Sequence, residues 1–99
     1  MNSGNLIMKY EMKNTKLMII NLPTKSEKHC YIQISSSKHQ LFEITQNRGQ
    51  RILIGNSQTR SGIKGKIAST SEYNSIGLVC IKENKIWRVV EQNGNFEIT

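Results

Sequence analysis

The sequence predicts an all-β fold: a compact antiparallel sandwich, barrel or prism of about seven to nine short strands. Three observations predict it. Apolar and polar residues alternate over short runs, and Gly, Pro, Asn and Ser break those runs at regular spacing. No stretch keeps a 3.6-residue period for three turns. The apolar set is rich in Ile, whose branched side chain suits a pleated surface. The chain has 99 residues, enough for one domain, which buries roughly 60–65% of its unfolded surface. Only 36% of residues are hydrophobic. A core this thin predicts added stability from a partner or from like subunits.

Residues 1–14 (MNSGNLIMKYEMKN) are polar around a small cluster at Leu6–Met8, and read as a flexible arm or an edge strand. Residues 15–99 read as the single all-β domain. TKLMIINL (15–22) is a nearly continuous apolar strand closed by Pro23. HCYIQIS (29–35) alternates, with Cys30, Ile32 and Ile34 on one face and His29, Tyr31 and Gln33 on the other. QLFEITQ (40–46) alternates with Leu41 opposite in sense to Phe42 and Ile44. NRGQ (47–50) is a turn, RILIG (51–55) a strand, and NSQTRSG (56–62) a polar loop. IKGKIAS (63–69) reads as a strand, with Ile63 and Ile67 on its apolar side. GLVCIK (77–82), KIWRVVEQ (85–92) and NFEIT (95–99) are separated by Glu83-Asn84 and by Asn93-Gly94, the second a strong hairpin signal. They predict a C-terminal three-strand meander whose last strand lacks a Lys or Pro to guard its edge. FEIT occurs at 42–45 and again at 96–99. The flanking residues differ, so the recurrence reads as coincidence of β-rich composition rather than a repeat.

Net charge is +7. No acidic residue lies between Glu43 and Glu72, whereas Arg48, Arg51, Arg60, Lys64 and Lys66 all do. These five form the candidate basic contact surface, suited to nucleic acid or an acidic protein face. Trp87, Phe42 and Phe96 are the candidate core or interface anchors.

Catalytic patterns are not legible. There is no Asp, the Glu residues are scattered, and no GxSxG surrounds a serine. His29 and Cys30 are adjacent on a strand, so their side chains diverge. His29, Cys30, His39 and Cys80 lack metal-ligand spacing. GNSQTRSGIKGK (55–66) lacks the order of a phosphate-binding loop. The expectation is a protein that is not an enzyme, with no cofactor and no metal. Cys30 and Cys80 read as small core residues, with a disulfide between them as the alternative. The one N-terminal apolar run, Leu17–Leu22, is too short for a signal peptide or a membrane span, which predicts an intracellular origin and no membrane partner.

From Phe42 onward the strand punctuation resembles that of compact β-domains in phage and other virion structural proteins, the head-decoration and fibre type. The residues that carry this are ILIG (52–55), TRSGIKGKI (59–67), SIGLVCI (75–81), IWRVV (86–90) and NGNF (93–96). The resemblance implies a non-enzymatic capsid decoration, cement or fibre protein. It implies a homotrimer that binds a capsid or fibre protein and resides in the virion after assembly in the host cytoplasm. Arm 1–14 would then attach to the shell. The competing expectation is a cytoplasmic basic β-barrel that binds RNA or single-stranded DNA. Such barrels stack bases on aromatic side chains, and residues 44–71 contain none.

Overall fold

The computed structural model describes residues 7–11 as backbone, and 16–37 and 40–99 in full. Ten strands follow one another: β1 (Ile7–Glu11), β2 (Leu17–Asn21), β3 (Tyr31–Ser35), β4 (Leu41–Thr45), β5 (Arg51–Ile54), β6 (Ser57–Gln58), β7 (Lys66–Ser69), β8 (Ser75–Lys82), β9 (Ile86–Asn93) and β10 (Phe96–Ile98). They form a six-stranded sheet, in the order β1-β3-β8-β9-β5-β6, and a four-stranded sheet, in the order β10-β7-β4-β2. The architecture is an open sandwich, not a closed barrel. The two inner faces meet in one core. Ile32, Ile34, Ile52, Ile76, Leu78, Cys80 and Trp87 come from the larger sheet; Ile20, Phe42, Ile44 and Ile67 come from the smaller. Alternation puts these side chains inside, since successive strand residues face opposite ways.

The sheets are mixed, not antiparallel throughout. β1 pairs with β3, β2 with β4, and β5 with β9, all in parallel. Ile7 sits opposite Tyr31 and Leu17 opposite Leu41, so both pairings carry the same offset of 24 residues (31 − 7 and 41 − 17). β1–β2 and β3–β4 are therefore two arches stacked in register, one strand of each in either sheet. Parallel pairing follows because each arch must cross between sheets before its next strand begins.

The predicted meander stops after two strands. β8 and β9 pair as an antiparallel hairpin. Its turn spans 83–85, one residue longer than the expected Glu83-Asn84 connection, and places Asn84 at φ 62°, a conformation that Asn tolerates better than most residues. Asn93-Gly94 is a corner rather than a hairpin: β10 leaves β9 and pairs with β7 in the other sheet. Gly94, at φ 104°, makes the bend, and a Cβ there would collide with the side chain of Asn74.

The FEIT recurrence has a structural counterpart. Glu43 and Glu97 both face Ala68, and Ile44 and Ile98 both face Ile67, from opposite sides of β7. The Phe42 and Phe96 rings meet with centroids 5.9 Å apart, tilted by 54°. The same four residues serve twice because both copies meet the same central strand in the same register.

Two boundaries differ from expectation. Within 56–62 a short strand, β6, folds back on β5 through Gly55-Asn56. Gly55, at φ 57°, takes the first loop position, where this turn type demands positive φ. The strand expected over 63–69 starts only at Lys66. Gly62 turns the chain at φ 89°, and Ile63 is left 76% exposed in a loop. Within the N-terminal segment, residues 7–11 are the edge strand of the larger sheet.

Candidate functional site

Connections cross between the sheets at both ends of the sandwich, and three of them meet at what we call the crossover end. The connections 22–30, 46–50 and 59–65 each pass between the sheets there, and the β8–β9 turn joins them. Loop carbonyls in such a place have no strand partner, so buried side chains must supply donors. Gln46 supplies most of them. Its parity continues Phe42 and Ile44, so it points inward, and it is buried. Its Nε2 donates to the carbonyls of Gln50 at 2.9 Å, Arg60 at 2.8 Å and Gly62 at 2.8 Å. Its Oε1 accepts from the Thr59 hydroxyl. Gln50 is buried beside it. The Gln50 amide donates to the Pro23 carbonyl at 2.8 Å and to that of Asn84 at 3.3 Å. Its Oε1 accepts from the Asn47 backbone N–H at 2.7 Å. The Asn47 side chain donates to the Leu22 carbonyl at 2.6 Å. Two glutamines thus tie all three crossovers and the hairpin turn into one body. Gly65 is required beneath it, because a Cβ would strike the Arg60 carbonyl and the Gln46 amide.

The charges hang on this framework. Lys25 and Lys28 lie on the first crossover, Arg48 on the second, Arg60 and Lys64 on the third, and Lys82 and Lys85 flank the hairpin turn; all seven are exposed. The acidic side chains among them are Glu27 and Glu83. Arg48 and Lys64 border an open depression of about 450 Å³, completed by Ser61, Gly62 and Ile63.

The five basic residues singled out from the sequence are divided by the fold. Arg48, Arg60 and Lys64 share the crossover end. Arg51 lies half-buried on the outer face of the larger sheet, where its Nη1 donates to Gln58 at 3.1 Å. Lys66 lies on the outer face of the smaller sheet, 3.5 Å from the Glu43 carboxylate. Lys25, Lys28, Lys82 and Lys85 are far away in sequence, so a contiguous charge run does not reveal them. The inward parity of Gln46 and Gln50, continuous with Phe42–Ile44 and Ile52–Ile54, was the legible sign of the polar clamp.

The aromatic candidates lie inside. Trp87 and Phe42 are fully buried, and Phe96 packs partly against the core. Trp87 Nε1 is buried without an acceptor among the described residues. Tyr31 lies across Gly77, where a Cβ would collide with its hydroxyl, and donates to Glu91 Oε1 at 3.1 Å. Burial, then that hydrogen bond, then the Glu91 charge push the Tyr31 phenol above its ordinary range.

Cys30 and Cys80 are free and buried, with the Cys80 N–H donating to the Cys30 carbonyl at 2.8 Å. Burial foremost, then Cys80 and Glu27, push the Cys30 thiol up, which keeps it protonated and poorly nucleophilic. His29 is exposed at φ 74° in a turn, because β3 begins only at Tyr31 and not at 29 as the alternation predicts, so strand alternation does not set its direction relative to Cys30. His39 lies outside the described residues. No three metal-ligating side chains converge among the described residues.

A second open depression, of about 590 Å³, lies at the far end between Lys16, Gln40, Leu41, Thr70, Ser71 and Glu72. Beside it, on the outer face of the smaller sheet, Leu17 is 45%, Ile19 61% and Leu41 39% exposed. No helix of the described residues is long and apolar enough to cross a membrane. No family model, no curated protein and no solved structure matches this chain.

Proposed function

We propose that this chain is a non-enzymatic structural protein of a virion, of the decoration or fibre type, that joins like copies of itself and a protein shell. The observation that carries it is the β2 edge. Every edge strand offers unpaired N–H and C=O groups to a neighbour, and proteins that remain single guard such edges with charge, brevity or a covering loop. Of the four edges, β1 carries Lys9 and Glu11, β6 has two residues, and β10 carries Glu97. β2, LMIIN, has no charged residue, and its outward Leu17 and Ile19 extend into Leu41 of β4. An uncharged edge beside an apolar strip is suited to contact with a neighbouring copy, and in a closed ring of three it meets a different face of that copy. The strand punctuation around Trp87 supports a decoration or fibre domain, and such a domain works as a trimer.

Light scattering after size exclusion, at low and high salt, tests this. The expected result is a trimer at both salts, because the contact is apolar. Ile19→Lys should reduce it to a monomer with an unchanged circular dichroism spectrum. A wild-type monomer at both salts overturns the proposal.

A further inference from the structure

We infer that the crossover end is a docking surface for an acidic polypeptide segment, with an aliphatic side chain of that segment covering Ile63 between Arg48 and Lys64. This names the partner class for the structural role proposed above and rests on that role.

Charge complementarity gives the sign of the partner. Seven exposed Lys and Arg side chains from four separate connections meet Glu27 and Glu83 alone at this end. Lys16 and Glu72 border the far-end depression with opposite signs, so that site selects no charge. A patch of one sign steers an opposite surface into place and raises its association rate.

Ile63 distinguishes a protein from a nucleic acid. It is 76% exposed, the most of the large apolar side chains at described positions, and it sits within the basic depression. An aliphatic group contributes nothing to a phosphate backbone. Proteins that hold single strands place aromatic rings where bases can stack. The three crossovers carry no Phe, Tyr or Trp, only the small imidazole of His29 as a ring, and Trp87, near this end, is fully buried. Protein interfaces instead combine a desolvated apolar centre with a charged rim, with Arg enriched among the anchors.

The surface is also held in place before any partner arrives. The carbonyls of Arg60 and Gly62, either side of Ser61 and just before Ile63, are fixed by the Gln46 amide. The Gly65 N–H closes the loop on the Gly62 carbonyl at 3.1 Å. A preformed loop spares the ordering entropy that binding would otherwise cost.

The test titrates the full chain against three fluorescent probes at about 0.15 M salt, read by anisotropy. They are a peptide of repeated Glu-Glu-Leu-Glu-Glu, a polyglutamate of equal length and a short DNA duplex. The leucine-bearing peptide should bind about tenfold tighter than polyglutamate, the effect of burying part of one aliphatic side chain. Ile63→Ser should erase that ratio and leave polyglutamate binding as it was. Arg48→Glu with Lys64→Glu should weaken both peptides by about tenfold or more. These positions are exposed, so circular dichroism should be unchanged in every variant. Tighter binding of the duplex than of either peptide, equal binding of the two peptides, or no binding to either peptide overturns the inference. Repeating the titration on Ile19→Lys separates the two proposals: binding by a monomeric variant preserves the docking surface whatever becomes of self-assembly.

Discussion

At the crossover end of the sandwich, three loops and a turn hang from two buried glutamines. At the far end the loops hang from one buried asparagine. Asn74 Nδ2 donates to the Asn95 carbonyl at 2.9 Å, and its Oδ1 accepts from the Ser71 hydroxyl at 2.9 Å. Its carbonyl accepts from the Ser36 N–H at 2.9 Å. Both ends solve one problem, loop backbone that leaves a sheet and needs partners. The crossover end then displays seven cations, whereas the far-end depression balances Lys16 against Glu72. Each end also has its own large aromatic: Trp87 near the start of β9, and the Phe42–Phe96 pair where β4 and β10 begin. The comparison teaches that the polar clamp is a folding device common to both ends, while among the described residues the one-signed charge belongs to the crossover end.

The largest expected difference comes from cutting each clamp. Gln46→Leu leaves the Arg60 carbonyl without its donor, takes one of two donors from the Gln50 and Gly62 carbonyls and removes the acceptor of the Thr59 hydroxyl, and should cost about 2–4 kcal/mol in a urea titration. Asn74→Leu removes the acceptor of the Ser71 hydroxyl and one of two donors to the Asn95 carbonyl, which keeps the Thr70 N–H, and should cost about 1–2 kcal/mol. Equal losses would mean that the two clamps are equivalent. Trp87→Phe should be milder, within about 1 kcal/mol. The lost volume is offset by removing an indole N–H that has no acceptor among the described residues. A loss above about 2 kcal/mol would place an acceptor on that N–H.

The smallest effect is a dependence on alkaline pH. Cys30 and Tyr31 both have pKa values raised in the folded chain, so the unfolded chain loses these protons first. Their contribution is whole below the ordinary thiol value of 9.0. It declines as pH rises from there, through the ordinary phenol value of 10.0 and on through the raised values. The urea midpoint should be flat from about pH 7 to 8.5 and then fall. Cys30→Ala should flatten the earlier part of that fall and leave the Tyr31 part in place.

Strand positions were legible because a strand with one buried face writes its period into the chain. Ile32 and Ile34, Phe42 and Ile44, and Ile52 and Ile54 all point where alternation puts them. Turn chemistry was legible at Asn84, but it misled at Asn93-Gly94. A glycine permits a bend without saying which strand the chain meets after it. Alternation also misled at Ile63, which has the parity of Ile67 but lies beyond the turn made by Gly62. In the candidate site, Arg48, Arg60 and Lys64 were visible as a basic run, and their four lysine neighbours were not.

By itself the sequence determined the all-β class, the identity of most core residues and the excess of positive charge. These follow from local periodicity and composition, which need no knowledge of neighbours. Tertiary structure alone decided that the sheets are mixed, that two arches stack 24 residues apart and that both FEIT copies flank β7. It also decided that cations from Lys25 to Lys85 share one end. Pairing is long-range: a strand's hydrogen bonds are alike for any partner, so the choice is made by the core that all the strands must close together.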